Sequence, residues 1–312
     1  MVNRFNSLVA AALVGLCSVG YGQGAVKRPA ITGIAFVRFY AADPAAAKAF
    51  YGERLGLPEA DEPGGVMRFR VGMRQWIEVA PLPAPAPKSR LALVGFLTSD
   101  VAGMRRYLEA HGVKVEAAGK EAGGTEEIET NDPEGNRVAF VRESRANSGM
   151  PTEMKPVGTA GAPTSRRIIH AGWQVQSREA EDKFYRELLG FRPYWYGGAQ
   201  EGGVDWVSQQ VPEGSDWVEY MLGGKPDDSA KQLGVKNHVS LGVTQIDAAS
   251  QQLIANGWAD AQTRKVQMGR DGKMQLNVFD PDMSRVEFME FQPRQKPCCS
   301  EFTAKSPTGD VE

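Results

Sequence analysis

Histidine and cysteine are scarce in this chain: 312 residues contain three of each. Once Cys17 leaves with an N-terminal segment described below, only the adjacent pair Cys298-Cys299 remains. Neighbouring cysteines rarely bridge each other, so a stapling disulfide framework is excluded. A tail detail is the plain reading of the pair, metal capture or intermolecular pairing the sharper one. Neither sign of charge dominates: 36 basic against 38 acidic residues leave −2, which excludes a nucleic-acid or acidic-polymer partner. No apolar run is long enough to span a membrane.

The most apolar run is Leu8 to Val19. Arg4 precedes it, and Gly20-Tyr21-Gly22 follows with small residues at the −3 and −1 positions of a cleavage site, so residues 1–22 read as a signal peptide. Leu16 is too bulky for the residue before a lipidated Cys17. Export to the periplasm or beyond is the expectation.

The remaining length allows two ordinary domains, each with its own core. Strand 31–40 leads to a helix opened by Asp43-Pro44, an N-cap followed by proline at the first helical position. Strands near 66–71 and 74–80 follow, then a Pro/Ala-rich spacer at 81–88. A second unit runs through strand 90–98, helix 100–111 and strands near 113–116, 125–130 and 136–142. After a Ser/Gly/Pro/Thr-rich linker at 145–165, the scheme starts again. Strand 167–175, helix 178–189, strands near 203–209 and 216–222, strand 237–243 and helix 246–256 lead to the hairpin 274–291. The polar tail 293–312 is expected to be loose.

The halves match in letters as well as order. Phe50-Tyr51-Gly52-Glu53-Arg54-Leu55-Gly56 echoes Phe184-Tyr185-Arg186-Glu187-Leu188-Leu189-Gly190. Trp76-Ile77-Glu78 echoes Trp217-Val218-Glu219, and Asp132-Pro133-Glu134 through Arg137-Val138 echoes Asp280-Pro281-Asp282 through Arg285-Val286. An internal repeat of this length sets the fold: α+β, two tandem domains, each of paired βαβββ units forming a curved, mainly antiparallel sheet around a cavity. On these motifs the chain resembles the vicinal oxygen chelate (VOC) superfamily, which includes glyoxalase I, bleomycin-resistance proteins and type I extradiol dioxygenases. The resemblance covers about 31–142 and 167–291. It implies one domain at 30–144 and a second at 166–292.

His170 and His238 open the first strands of the two units in the second domain, and Glu219 and Glu287 lie in the last strands of those units. Each His–Glu pair is 49 residues apart, as two copies of one unit related by a pseudo-twofold axis would give. A half-buried strand carboxylate such as Glu287 needs a partner. Two imidazoles and one or two carboxylates suit one divalent ion of Zn, Ni, Co, Fe(II) or Mn. The resemblance carries His170, His238 and Glu287 over as metal ligands; Glu219 is open between ligand and structural residue, because Glu78 stands at its counterpart. In the first domain Phe36 replaces His170, Ala92 or Leu93 replaces His238, and Ala139 replaces Glu287, so no metal is expected there. His111 reads as a helix C-terminal residue complementing the dipole.

The resemblance implies a metal that chelates a small substrate through two adjacent oxygens. If Glu219 is a ligand, the set is similar to glyoxalase-like isomerases and lyases, with Glu287 as the base. If not, the remaining triad is similar to extradiol dioxygenases using Fe(II), although Asn277 stands near their tyrosine position and no second acid–base histidine is left. A non-catalytic small-molecule-binding protein is the third alternative. Arg264, Arg270 and Lys273 before the last hairpin read either as solvated or as a handle for an anionic substrate. Trp195, Tyr196, Trp206 and Trp217 read either as core or as pocket lining. The resemblance also admits a homodimer.

Overall fold

The computed structural model describes residues 26–61, 65–117, 127–142, 162–258 and 265–309. The signal-peptide segment, Arg264 and most of the linker lie outside them. The first domain runs β1 (Ile31–Ala41), α1 (Pro44–Lys48), β2 (Glu59–Asp61), β3 (Met67–Arg70), β4 (Trp76–Pro81), β5 (Leu91–Thr98), α2 (Val101–Ala110), β6 (Glu116–Ala117), β7 (Glu127–Asn131) and β8 (Arg137–Arg142). The second runs β9 (Ile168–Gln174), α3 (Arg178–Asp182), β10 (Arg192–Gly197), β11 (Trp206–Gln210), β12 (Trp217–Met221), α4 (Ala230–Lys236), β13 (His238–Val243), α5 (Ile246–Ala255), β14 (Gln267–Met268), β15 (Met274–Phe279) and β16 (Arg285–Glu290).

Each domain is one eight-stranded sheet, ordered β2-β3-β4-β1-β5-β8-β7-β6 and β10-β11-β12-β9-β13-β16-β15-β14. In both, the first strands of the two βαβββ units pair antiparallel at the centre, and each pairs in parallel with the last strand of its own unit. The side-by-side units give the pseudo-twofold axis that the equal spacings imply. None of the described helices is long and apolar enough to cross a membrane.

The two motifs that carry the repeat are also what joins the domains. Asp43 caps α1 by accepting from Ala45 N and Ala46 N, and the helix widens into a π turn, Ala49–Arg54, just as α3 continues into Lys183–Leu188. That widening carries Tyr51 and Tyr185 into the shared core. Tyr51 Oη donates to Asp280 Oδ2 of the other domain at 3.0 Å, and Tyr185 Oη donates to Asp132 Oδ2 at 3.3 Å. The other oxygen of each aspartate holds its own hairpin turn by accepting backbone N–H groups two and four residues on. Asp282 and Glu134 repeat the reciprocity, accepting from Ala42 N and Gln176 N at the opposite helix starts. One apolar core runs continuously from one domain into the other, with Phe96 edge-on to Phe191 and Phe50 edge-on to Trp258.

Sequence periodicity did not find β2, β10, β14 or α4, which are short or lack a clear apolar period. Two expectations about the tail change. Residues 293–309 do not hang loose. They strap the edge of the second sheet, with Thr303 N donating to Tyr194 O, Ser306 Oγ 2.6 Å from Tyr194 Oη, and Phe302 packed on the Tyr194 ring. Apolar contact with that edge fixes a segment whose composition is polar. The adjacent cysteines are bridged to each other, in a turn where Cys299 takes a φ of 73°.

Candidate metal centre

The second sheet brings together the four side chains singled out from the sequence. They come from its four central strands, β12, β9, β13 and β16. His170 Nε2 and His238 Nε2 lie 2.9 Å apart. Glu287 Oε2 is 3.2 Å from His170 Nε2 and 4.0 Å from His238 Nε2, and Glu219 Oε2 is 3.6 Å from His238 Nε2. His170, Glu219 and His238 each offer one ligand atom within 4.8 Å of the others, the one such group of His, Cys, Asp and Glu among the described residues.

Local packing aims these groups. The His170 ring stacks on Trp217, centroids 4.6 Å apart, with both residues opposite each other in the parallel β9–β12 register. His238 stands opposite Gly172. A Cβ on Gly172 would lie 2.1 Å from His238 Cε1, so the imidazole occupies space that any other residue would fill. His238 Nδ1 is 2.7 Å from Lys236 O and 2.8 Å from a guanidinium nitrogen of Arg285. The carbonyl can only accept, so that bond needs the proton on Nδ1 and leaves Nε2 with its lone pair facing the cluster. The guanidinium contact would need the opposite tautomer.

The site fits a divalent ion. Two nitrogens about 2.0–2.1 Å from one ion lie about 2.9 Å apart at a right angle and about 3.4 Å apart at the tetrahedral angle; the His170–His238 separation is 2.9 Å. Glu287 Oε2 is buried with His170 Nε2, 3.2 Å away, as the group facing it, and a buried carboxylate oxygen is costly unless a cation or donor faces it. Burial lowers the affinity of both imidazoles for a proton, His238 most strongly with the Arg285 charge adding to it, so both are neutral donors at neutral pH. The two carboxylates differ. Burial, then the neighbouring Glu287 charge, pushes Glu219 up to about 8. Burial pushes Glu287 up as well, but the His170 contact and the Arg285 charge outweigh it and bring it down to about 2.

A cavity of about 420 Å³ opens onto both carboxylates, walled by Trp195, Trp206, Trp217 and Tyr194. Three of the four aromatics named from sequence are therefore wall residues, whereas Tyr196 is 42% exposed outside it. Asn277, Arg285 and Arg270 also line it, Arg270 being the one of the two described loop cations that does so. Lys273 is not solvated but fully buried, and Asp271, not singled out from sequence, is a wall residue. His111 caps α2, its Nδ1 2.7 Å from Tyr107 O, and is no part of the site.

In the first domain the same positions are filled with Phe36, Leu93 and Ala139, packed with Trp76 in an apolar cluster. The register settles which residue replaces His238: Leu93 stands opposite Arg38 as His238 stands opposite Gly172.

A family model for the Glyoxalase/Bleomycin resistance protein/Dioxygenase superfamily matches residues 33–140 and 167–288. No curated protein matches the sequence. Among solved structures, the chain is similar to homoprotocatechuate 2,3-dioxygenase from Brevibacterium fuscum in its complex with 3,4-dihydroxyphenylacetate, at 20% identity and TM-score 0.64 over 85% of this chain and 82% of that one. A room-temperature structure of an extradiol ring-cleaving dioxygenase from the same organism gives 20% identity and TM-score 0.65 over 92% and 75%. At such identity the likeness speaks for the fold. With both repeats matched and both sheets built on the same paired units, the chain belongs to the Glyoxalase/Bleomycin resistance protein/Dioxygenase superfamily.

Proposed function

We propose that this protein is a single-metal enzyme of the glyoxalase-like isomerase and lyase type, acting on a small substrate that chelates through two adjacent oxygens. The observation that carries the reading is the convergence of Glu219 with both histidines. It places one carboxylate beside the two histidines, with Glu287 3.2 Å from His170, at a cavity that both carboxylates line. His170 and His238 would hold a divalent ion through Nε2, with Glu287 as the anchored carboxylate. Such an ion, when bound, polarises the substrate oxygens as a Lewis acid.

The rest falls to the protein. The aromatic wall orients a flat or apolar body and keeps water from the reacting carbon. The family resemblance gives the proton-moving role to Glu287. The surroundings favour dividing the work: Glu287, held by His170 and Arg285, stays ionised, whereas Glu219 stands 3.6 Å from His238 and has a proton affinity nearer neutrality, as a general base needs. Glu219→Gln is expected to keep metal and lose turnover, and Glu287→Gln to lose metal. Metal content and turnover of a hemithioacetal panel by both variants check this. Retention of metal by Glu287→Gln with loss by Glu219→Gln would reverse the roles.

A second reading, Fe(II)-dependent ring cleavage, is favoured by the architecture: the candidate ligands sit only in the second of two tandem domains, and the similar solved structures span 85–92% of the chain. Oxygen uptake by the Fe(II)-loaded protein with catechols, and none with hemithioacetals, would make it the better account. From the N-terminal segment we also propose export with removal of residues 1–22; a protein found in the cytoplasm with that segment retained would contradict that.

A further inference from the structure

Asp271 is a titratable wall residue of the cavity for which the metal reading has no use. It sits at the tip of the β14–β15 hairpin, in Gly269-Arg270-Asp271-Gly272. That tip is built to one shape. Gly269 N donates to Lys273 O at 2.7 Å, Gly272 N donates to Gly269 O at 3.0 Å, and Gly272 has a φ of 80°, open to glycine at little cost. A Cβ on Gly269 would lie 2.5 Å from Asp271 Oδ1. The tail clamps the tip from outside, with Arg294 N donating to Gly272 O and Cys298 N to Arg270 O, both at 2.8 Å.

Asp271 is 7% exposed and shares the cavity with Glu219 and Glu287. Its Oδ1 accepts from Lys273 N at 3.0 Å. Behind it the Lys273 ammonium is 3.3 Å from Tyr194 Oη and faces the rings of Trp217, Phe302 and Tyr194 at 4.7, 5.1 and 5.6 Å. Burying an ammonium is costly, and cation–π contact offsets part of that. Its charge acts on Asp271: burial raises the aspartate to about 6, against the pull of Lys273, while burial lowers Lys273 to about 8. The other charged or titratable groups around Asp271 are Arg270 beside it, Glu219 on β12, Arg285 and Glu287 on β16, and Tyr194 on β10.

We propose that Asp271 is a second acid–base residue of this cavity, taking a proton from a hydroxyl of the chelating substrate and returning it to product, with Lys273 as the positioning residue behind it. The step moves one proton from substrate oxygen to the Asp271 carboxylate and back, with no electron transfer. It rests on the reading that the cavity binds a metal-chelating substrate. It also answers the lack of a second histidine: the acid–base group is a carboxylate on a rigid turn.

The test uses the zinc-loaded full chain and 4-nitrocatechol, a chelating diol whose colour reports its own protonation. The wild type is expected to bind the probe with loss of both protons near neutral pH. Asp271→Asn should move loss of the second proton up by about 1–2 pH units with zinc content unchanged, and Asp271→Glu should restore it. Lys273→Met should move it upward too, because Asp271 then stays protonated to higher pH. A colour change in Asp271→Asn that follows the wild-type pH profile, with zinc bound, would overturn the proposal alone. Absence of zinc and of any colour change in every variant would overturn the metal reading and this proposal together.

Discussion

The two domains place a glutamate at the same point of the same sheet and surround it in opposite ways. In the first, Glu78 accepts from Arg38 Nε at 2.6 Å, a guanidinium nitrogen of Arg68 at 2.9 Å and Trp76 Nε1 at 2.8 Å. Arg38 and Arg68 stand directly across from it on the two flanking strands. In the second, the residues directly across from Glu219 are Gly172 and Ser208. Both cations are gone, and the vacated volume at Gly172 is taken by the His238 ring. The difference teaches that a ligand cluster is made as much by stripping partners from a carboxylate as by supplying imidazoles. It also answers why Glu78 persists where no histidine does: it is the anion that the buried Arg68 and the half-buried Arg38 share.

The largest effect expected from blurring this contrast comes from His170→Phe, which installs the first-domain residue. Metal content should fall to background, with little loss of stability, because Phe36 already stacks on Trp76 in the equivalent place. Retained metal would remove His170 from the site. Gly172→Ala follows: its Cβ would push the His238 ring aside, and affinity measured by chelator competition should drop about 10–100-fold, the scale seen when a ligand's support is lost. An unchanged affinity would show that the ring has room the structure does not give it.

Glu78→Gln probes the other side of the comparison. Breaking a buried ion pair costs about 3–5 kcal/mol, so denaturant unfolding should show a large loss of stability while metal content stays the same. If metal is lost along with stability, the two sites are not independent.

The smallest effect concerns a departure from the interdomain symmetry. Glu181, fully buried, stands where the first domain has Ala47, and burial followed by the Asp132 charge raises it to about 9. A carboxyl raised on folding contributes stability below its unfolded value near 4.5 and loses it as pH climbs towards 9. Glu181→Ala should therefore flatten the decline of stability between those limits and leave metal binding alone. A variant whose stability still falls over that range in parallel with the wild type would assign the decline to other groups.

Much of this was legible in the letters. The repeat of Phe-Tyr-x-x-x-Leu-Gly and Asp-Pro turns fixes the fold, and the equal His–Glu spacings fix which strands must adjoin, because a β sheet turns sequence periodicity into faces. What stayed hidden depends on contact between distant segments. Lys273 reads as a solvated loop residue until Trp217 and Phe302, one from another strand and one from the tail, close over it. Asp271 becomes a wall residue only because the tail clamps its turn. Gly172 looks like a weak point in a strand, and its role appears only when His238 lies across it.

The most direct test of the account is the metal content of the wild-type protein purified without chelator, beside His170→Ala/His238→Ala. The account predicts near one divalent ion per chain in the wild type and almost none in the double variant. No bound ion in the wild type, even after reconstitution with Zn, Ni, Co, Fe(II) and Mn in turn, would contradict it and leave a metal-free binding protein as the better description.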